Sequence, residues 1–299
     1  MAAQLWRSVL GLQTALAVAI VFAAWLLRGA PRPAHPWLGL GFAALCFVAL
    51  QYLQVFGILA LSRALAPRSG SADRSGAWRA MLTEPVYFGL AQFSMARGAR
   101  APRDAGGGAA PVLLVHGLAC NAGVWSRLIP RLRAAGFAPI RAVQLTPFGE
   151  DIDALAHRLA RELAELHAQA RAPVTVVAHS LGGLVSRAAL REVAPQVVGR
   201  LVTVGTPHHG AALARLSHAP PVGQMRPDCG WLAELNARQA SLPVPVTSLF
   251  SLDDNFVTPP RSAELEGARS QALRGLGHFG LLVSRRGTDG VLRALQEAA

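Results

Sequence analysis

The stretch P-V-T-V-V-A-H-S-L-G-G-L-V-S-R-A-A-L, residues 173–190, decides the reading of the fold. It opens as an apolar, β-branched run ending at Ala178 and continues from Leu181 as a helical pattern, with Ser180 at the change of period. A strand that gives way to a helix over so few residues must turn sharply, and the turn brings helix and strand close together. Small neighbours are therefore needed, and Ala178 and Gly182 supply them, with Gly183 loosening the packing further. A serine on such a turn projects its hydroxyl above the sheet edge. The backbone N–H of Leu181, at the helix N-terminus, then faces any negative charge that develops there. In a chain rich in Gly and Ala a small-x-Ser-x-Gly match also describes an ordinary βα loop, so the weight of the motif comes from its surroundings.

Those surroundings alternate. P-V-L-L-V-H-G (111–117) precedes a helical pattern near 124–135; F-A-P-I-R-A-V-Q-L (137–145) precedes another near 152–170. In that second helix Leu155, Leu159, Leu163 and Leu166 recur on one face, with Arg158, Arg161, Glu162 and Glu165 between them. After 173–190 come R-L-V-T-V-G (200–205), a polar, Pro-rich excursion at 206–242, P-V-P-V-T-S-L-F-S (243–251) and a closing helix near 289–297. Short apolar strands alternating with helices predict an α/β fold, a mostly parallel sheet covered on both faces. No internal repeat is evident.

V-A-H-S-L-G-G-L-V (177–185) together with V-L-L-V-H-G-L (112–118) resembles the α/β-hydrolase superfamily, most closely its bacterial lipase and esterase branch, over roughly residues 111–285. Ala178 stands where the family's G-x-S-x-G has its first glycine; some lipases of this branch carry alanine there. The resemblance implies an α/β-hydrolase fold with Ser180 as nucleophile and the backbone N–H groups of Leu118 and Leu181 as oxyanion donors. A serine needs a base, and a neutral imidazole needs a carboxylate to fix its tautomer. S-L-D-D-N-F-V-T-P (251–259) resembles the family's S-x-x-D-x-x-V-x-P and assigns the acid to Asp254, with Asp253 as second choice. L-G-H-F-G-L-L (276–282) places His278 where the family's histidine lies, and Ser180, Asp254, His278 is the expected chain order. The resemblance gives His116 a loop-shaping role. His179 is expected to point away from Ser180, His157 and His167 to sit on a helix, and His208 and His209 to belong to a pocket loop. Residues 206–242 are expected to form a short cap, with Leu213, Leu216, Met225, Trp231 and Leu232 as its apolar residues. Asn121 and Trp125 are read either as pocket wall or as a helix cap and core packing.

The N-terminal region differs in kind. Between Arg7 and Arg28 runs S-V-L-G-L-Q-T-A-L-A-V-A-I-V-F-A-A-W-L-L without a charge, and a second charge-free run covers 37–62, where Gln51, Tyr52 and Gln54 are polar. Each is long enough for a helix to cross the hydrocarbon core. Pro31, Pro33 and Pro36 interrupt the link, and Trp25 and Trp37 flank it as interfacial anchors. The expectation is a membrane-anchoring hairpin at 1–63 with spans 8–27 and 37–62. A linker at 64–108, containing a helical patch around W-R-A-M-L-T-E-P-V-Y-F-G-L-A-Q-F and ending in D-A-G-G-G, leads to a hydrolase domain at 109–299. A cleaved signal peptide is the competing reading; the first run exceeds an ordinary h-region, and no small-x-small cleavage site follows it. Arg7, Arg63, Arg68, Arg74 and Arg79 against Arg28 and Arg32 give a charge bias that favours, as an expectation, a domain on the cytoplasmic side of a bacterial inner membrane.

The 299 residues carry 29 Lys+Arg against 17 Asp+Glu, a net charge of +12, with 15% charged and 52% apolar residues. That apolar share excludes a disordered chain, and the mean hydropathy of +0.33 reflects the N-terminal runs. No lysine occurs; the scattered arginines form no stripe or nucleic-acid module, so nucleic acid is not expected as a partner. Cys46, Cys120 and Cys229 make neither a disulfide framework nor a zinc pair, and His208, His209, His218 and Asp228 fit no ligand spacing, so no metal or cofactor is expected. The expected partners are the bilayer and an ester or lipid substrate. The same machinery would serve a carboxylic ester hydrolase, an acyltransferase, a phospholipase or a thioesterase, and a hydrolase scaffold without catalysis is the reading from another class.

Overall fold

The computed structural model describes residues 2–27, 36–66, 76–98, 110–146, 149–238 and 242–297. The proline link at 28–35 and the D-A-G-G-G tract at 104–108 lie outside the described residues. Helices α1 (Ala2–Leu27), α2 (Pro36–Leu65) and α3 (Ala77–Ala96) precede strand β1 (Val112–Val115). Then follow α4 (Ile129–Ala134), β2 (Ile140–Ala142), α5 (Ile152–Ala170), β3 (Val174–His179), α6 (Leu181–Ala189) and β4 (Val198–Val204). The chain continues through α7 (Gly230–Arg238), β5 (Val246–Ser251), β6 (Arg269–Leu273), α8 (Gly280–Val283) and α9 (Arg285–Gln296).

The six strands form one sheet in the order β2-β1-β3-β4-β5-β6, and every neighbouring pair is parallel. This is the mostly parallel, helix-covered architecture that the sequence predicts. Successive residues of β1 divide between two cores: Leu113 and Val115 join α5 and α6 on one face, while Val112 and Leu114 join α3, α4 and α9 on the other. Burial on both faces explains why the strands read as continuous apolar runs. Helix α5 begins at Asp151, whose side chain accepts from Ala154 N at 2.7 Å, and buries Leu155, Leu159, Leu163 and Leu166. Strand β6 has no apolar run to announce it, because it is an edge strand with largely solvent-facing residues.

Strand order reverses direction at β1, which pairs with β2 on one side and β3 on the other. In an open parallel sheet the loops leaving the carboxyl ends of the strands at such a point diverge to opposite sides and leave a crevice. Val115 is in register with Ala178, so the loop after β1 and the turn after β3 leave the sheet side by side.

Helices α1 and α2 are long and apolar enough to cross a membrane, and most of their surface is uncovered, with Leu12 71%, Leu45 67% and Leu53 68% exposed. Their polar residues pair between the helices: Gln51 Nε2 donates to Gln13 Oε1 at 3.0 Å, and Gln13 Nε2 to Gln54 Oε1 at 2.9 Å. The ends nearest the sheet domain are bonded to it. Trp6 Nε1 donates to Ala119 O at 2.8 Å, Arg7 Nε to Ala96 O at 2.9 Å, and the Ser62 hydroxyl to that of Thr258. Within 64–108, expected as a linker, α3 is an integral part of the core: Phe88, Ala91 and Met95 are buried beside Trp125 and Phe279.

Candidate functional site

Ser180 occupies the turn between β3 and α6 with φ 54° and ψ −125°, a left-handed conformation that costs a non-glycine residue roughly 1–3 kcal/mol. Neighbouring hydrogen bonds hold it there, with Ser180 N donating to Val204 O at 2.9 Å and Gly183 N to Ser180 O at 3.0 Å. Gly182 is explained by proximity, since a Cβ at this position would stand 2.5 Å from His116 O and 2.6 Å from Val115 O. The N-terminus of α6 therefore presses directly on the carboxyl end of β1. Leu181 N, at the first position of α6, has no intrahelical acceptor. Leu118 and Ala119 follow across the crevice, Ala119 also at positive φ.

His278 and Asp254 come from the ends of the other strands. Asp254 lies in the turn after β5, where its Oδ1 accepts from Phe256 N at 2.8 Å and Val257 N at 2.9 Å. Its Oδ2 meets His278 Nδ1 at 2.8 Å, with both side chains buried. Asp253 points elsewhere and accepts from Gly275 N at 2.6 Å. Asn255 Oδ1 receives His278 N at 3.0 Å, a contact that sequence reasoning did not find. Ser180 and His278 line one cavity of about 400 Å³, within the usual range for small-molecule sites. Apart from Cys120, His179, Ser180 and His278, its lining is apolar.

The remaining histidines sort themselves by burial. His116 accepts from Leu145 N at Nε2 (3.1 Å) and bonds Gly117 O through Nδ1 (2.9 Å), and burial lowers its pKa to about 4, so it stays neutral and holds the loop after β1. His179 is buried with its ring 4.5 Å from that of His278; burial first and His278 second lower its pKa. His157 pairs with Glu192 on the surface, and His167 bonds Ala172 O. His208 is a core residue against Thr203 and Arg187 rather than a pocket-loop residue. His218 and Asp228 both meet Arg226, an unsuitable neighbour for a metal.

From the expected cap, Leu213, Leu216 and Met225 line the cavity, whereas Leu232 is buried in the main core and Trp231 bonds Asp153 at 2.7 Å. Asn121 caps a 3-10 turn by accepting from Gly123 N, and Trp125 is packed in the core, so neither forms cavity wall. Burial raises the Cys120 thiol pKa to about 12, which leaves it protonated and unreactive. Besides Asn255, three contributors were not anticipated from sequence. Trp6 of α1 and Ile58 of α2 form part of the cavity wall. Glu84 of α3, the sole acid in that helix, is buried and accepts from Phe279 N at 2.7 Å and Gly280 N at 2.9 Å. An isolated acid in an apolar helix was the available signal.

Solved structures with a similar fold include a Bacillus licheniformis lipase, BlEst2, in its propeptide form, with 22% identity and a TM-score of 0.58 over 66% of this chain and 52% of that one. An Aspergillus fumigatus lipase B matches with 23% identity and a TM-score of 0.58 over 64% and 53%. The phospholipase PlaB from Legionella pneumophila matches with 14% identity and a TM-score of 0.54 over 64% and 60%. The chain thus spans about half the length of the first two, and at these identities the likeness is one of fold. A family model described as the alpha/beta hydrolase family matches residues 112–295, from the first residue of β1 into α9. With the whole sheet and helices α4 to α8 inside that match, which spans more than half of the sequence, the chain belongs to the alpha/beta hydrolase family.

Proposed function

We propose that this protein is a membrane-anchored serine hydrolase that cleaves carboxylic esters of apolar acyl chains through an acyl-enzyme. The observation that carries the reading is the buried His278 Nδ1 to Asp254 Oδ2 contact at 2.8 Å, made in the wall of an apolar cavity that also contains Ser180. Asp254 keeps the proton of His278 on Nδ1 and leaves Nε2 free as a base. Ser180 Oγ attacks the ester carbonyl and passes its proton to Nε2. The oxyanion forms against the N–H groups of Leu118 and Leu181, where each donor contributes about 3–4 kcal/mol. The intermediate collapses, the alcohol leaves with the proton from Nε2, and water repeats the sequence to release the acid.

Several features support the membrane part of the reading. Helices α1 and α2 present apolar outer faces, and α3 continues them with exposed Trp78, Leu82, Val86, Leu90 and Phe93. Trp6 and Ile58 bring the anchoring helices to the cavity itself, so a lipid ester would meet the site from the bilayer side. Arg7 and Arg63 at the domain-proximal ends of the hairpin favour a cytoplasmic domain.

The test is hydrolysis of short- and long-chain p-nitrophenyl esters by the detergent-solubilised protein beside Ser180→Ala, with a fluorophosphonate label reporting an activated serine. Turnover and labelling that disappear in the variant are expected. A folded wild type that neither labels nor turns over any ester would displace this reading in favour of a binding scaffold.

A further inference from the structure

We infer that Glu84 is a positioning residue for His278, through which helix α3 sets the place of the imidazole. The inference rests on the reading of His278 as the base. Glu84 comes from a helix 195 residues away in the chain from the amide it binds. Its two carboxyl oxygens take the two backbone N–H groups that immediately follow His278, those of Phe279 and Gly280. The backbone on the other side of His278 is shaped to the same group. A Cβ at position 277 would stand 2.3 Å from Glu84 Cδ, and one at 280 would stand 3.1 Å from Oε2. Both glycines of L-G-H-F-G thus leave room for this carboxyl group. One turn further along α3, Phe88 packs its ring 4.9 Å from that of Phe279, so the helix grips the histidine loop twice.

The imidazole is therefore held from three directions. Asp254 fixes Nδ1, Asn255 takes the His278 amide, and Glu84 takes the two amides beyond it. Glu84 does not line the cavity, so it acts on substrate only through the loop. It is 2% exposed, and without it two buried amides would lose their acceptors. The loop would then move to find others, and a shift of about 1 Å in a reacting group costs on the order of a hundredfold in rate.

Glu84→Gln is the informative variant, because it keeps the shape but offers one acceptor oxygen for two N–H donors. In the full-length protein in detergent, the expected result is a fall in kcat of about 10–100-fold with KM changed less than about threefold, and an equal fall in the rate of fluorophosphonate labelling. A folded Glu84→Gln protein with wild-type kcat overturns the inference, as does a loss confined to KM. If Glu84→Gln does not fold, Glu84→Asp keeps the carboxyl group and both acceptor oxygens but withdraws them by one methylene from the amides of Phe279 and Gly280. A fall in kcat at constant KM then supports the inference, and an unchanged kcat overturns it. Wild-type turnover that is abolished by Ser180→Ala shows separately that the serine reading stands, so failure of the two ideas is distinguishable.

Discussion

Replacing Asp254 by asparagine tests the reading most severely, because the hydrogen bonds around this residue dictate which way the new amide must point. Oδ1 serves the amides of Phe256 and Val257, and Oδ2 faces His278 Nδ1. Asparagine offers one oxygen and one NH2. If the oxygen turned toward His278, the NH2 would face two backbone donors and leave both unpaired, at about 1–3 kcal/mol each. If the oxygen stays on the amides, a single NH2 points at Nδ1 and nothing is left unpaired. The second arrangement wins by several times the net worth of one hydrogen bond, about 1 kcal/mol. It forces Nδ1 to accept and moves the imidazole proton to Nε2, where it blocks proton removal from Ser180. The expected outcome is a drop in kcat of about 10⁴, equivalent to about 5.5 kcal/mol of transition-state stabilisation, with KM nearly unchanged. Steady-state hydrolysis of a p-nitrophenyl ester measures it, and near-ultraviolet circular dichroism confirms that the variant is folded. A folded variant retaining more than about a tenth of wild-type kcat would refute the tautomer argument.

Gly182→Ala places a methyl group against two backbone carbonyls, so it is expected to destabilise by about 1–3 kcal/mol and lower the melting midpoint by roughly 2–12 °C; an unchanged midpoint would mean that α6 moves freely away from β1. Burial raises the Glu84 pKa from 4.5 to about 8, so between these values the folded state holds a proton that the unfolded state has lost. The stability that this protonation contributes is present below pH 4.5 and is lost as pH rises through 8, and Glu84→Gln is expected to flatten the fall by up to a few kcal/mol, read from melting midpoints across pH 5–9. A variant with the wild-type slope would contradict the shift. Trp6→Ala removes cavity wall and the bond to Ala119 O, and is expected to raise KM for long-chain esters about tenfold relative to short-chain ones, a difference of about 1.4 kcal/mol. Equal effects on both chain lengths would exclude Trp6 from acyl binding.

Much of the sheet domain was legible because its signals are local. The leucines of α5, the β-branched run of β3 and the small residues around Ser180 each report a period or a turn that neighbouring residues suffice to define. The same holds for the apolar spans of α1 and α2, whose described helices, Ala2–Leu27 and Pro36–Leu65, extend slightly past the expected 8–27 and 37–62. The placement of Asp254 rather than Asp253 toward His278 agrees with the motif for a local reason too, since two amides of its own turn orient the carboxylate.

Other features depended on partners far away in the chain. Periodicity shows that a residue faces inward but not what it meets there, so nothing local to Glu84, within the stretch expected as a linker, points to the histidine loop whose amides it binds. His208 sat beside an apparent site loop, yet β4 and α6 enclose it with Thr203 and Arg187. Trp231 and Leu232 looked like cap residues, but α7 turns them toward α5 and the main core. Residues 173–190 alone determined that a strand turns sharply into a helix at Ser180. The tertiary structure decided which carboxyl groups surround His278 and which helices wall the cavity, because those depend on packing between segments that share no local pattern.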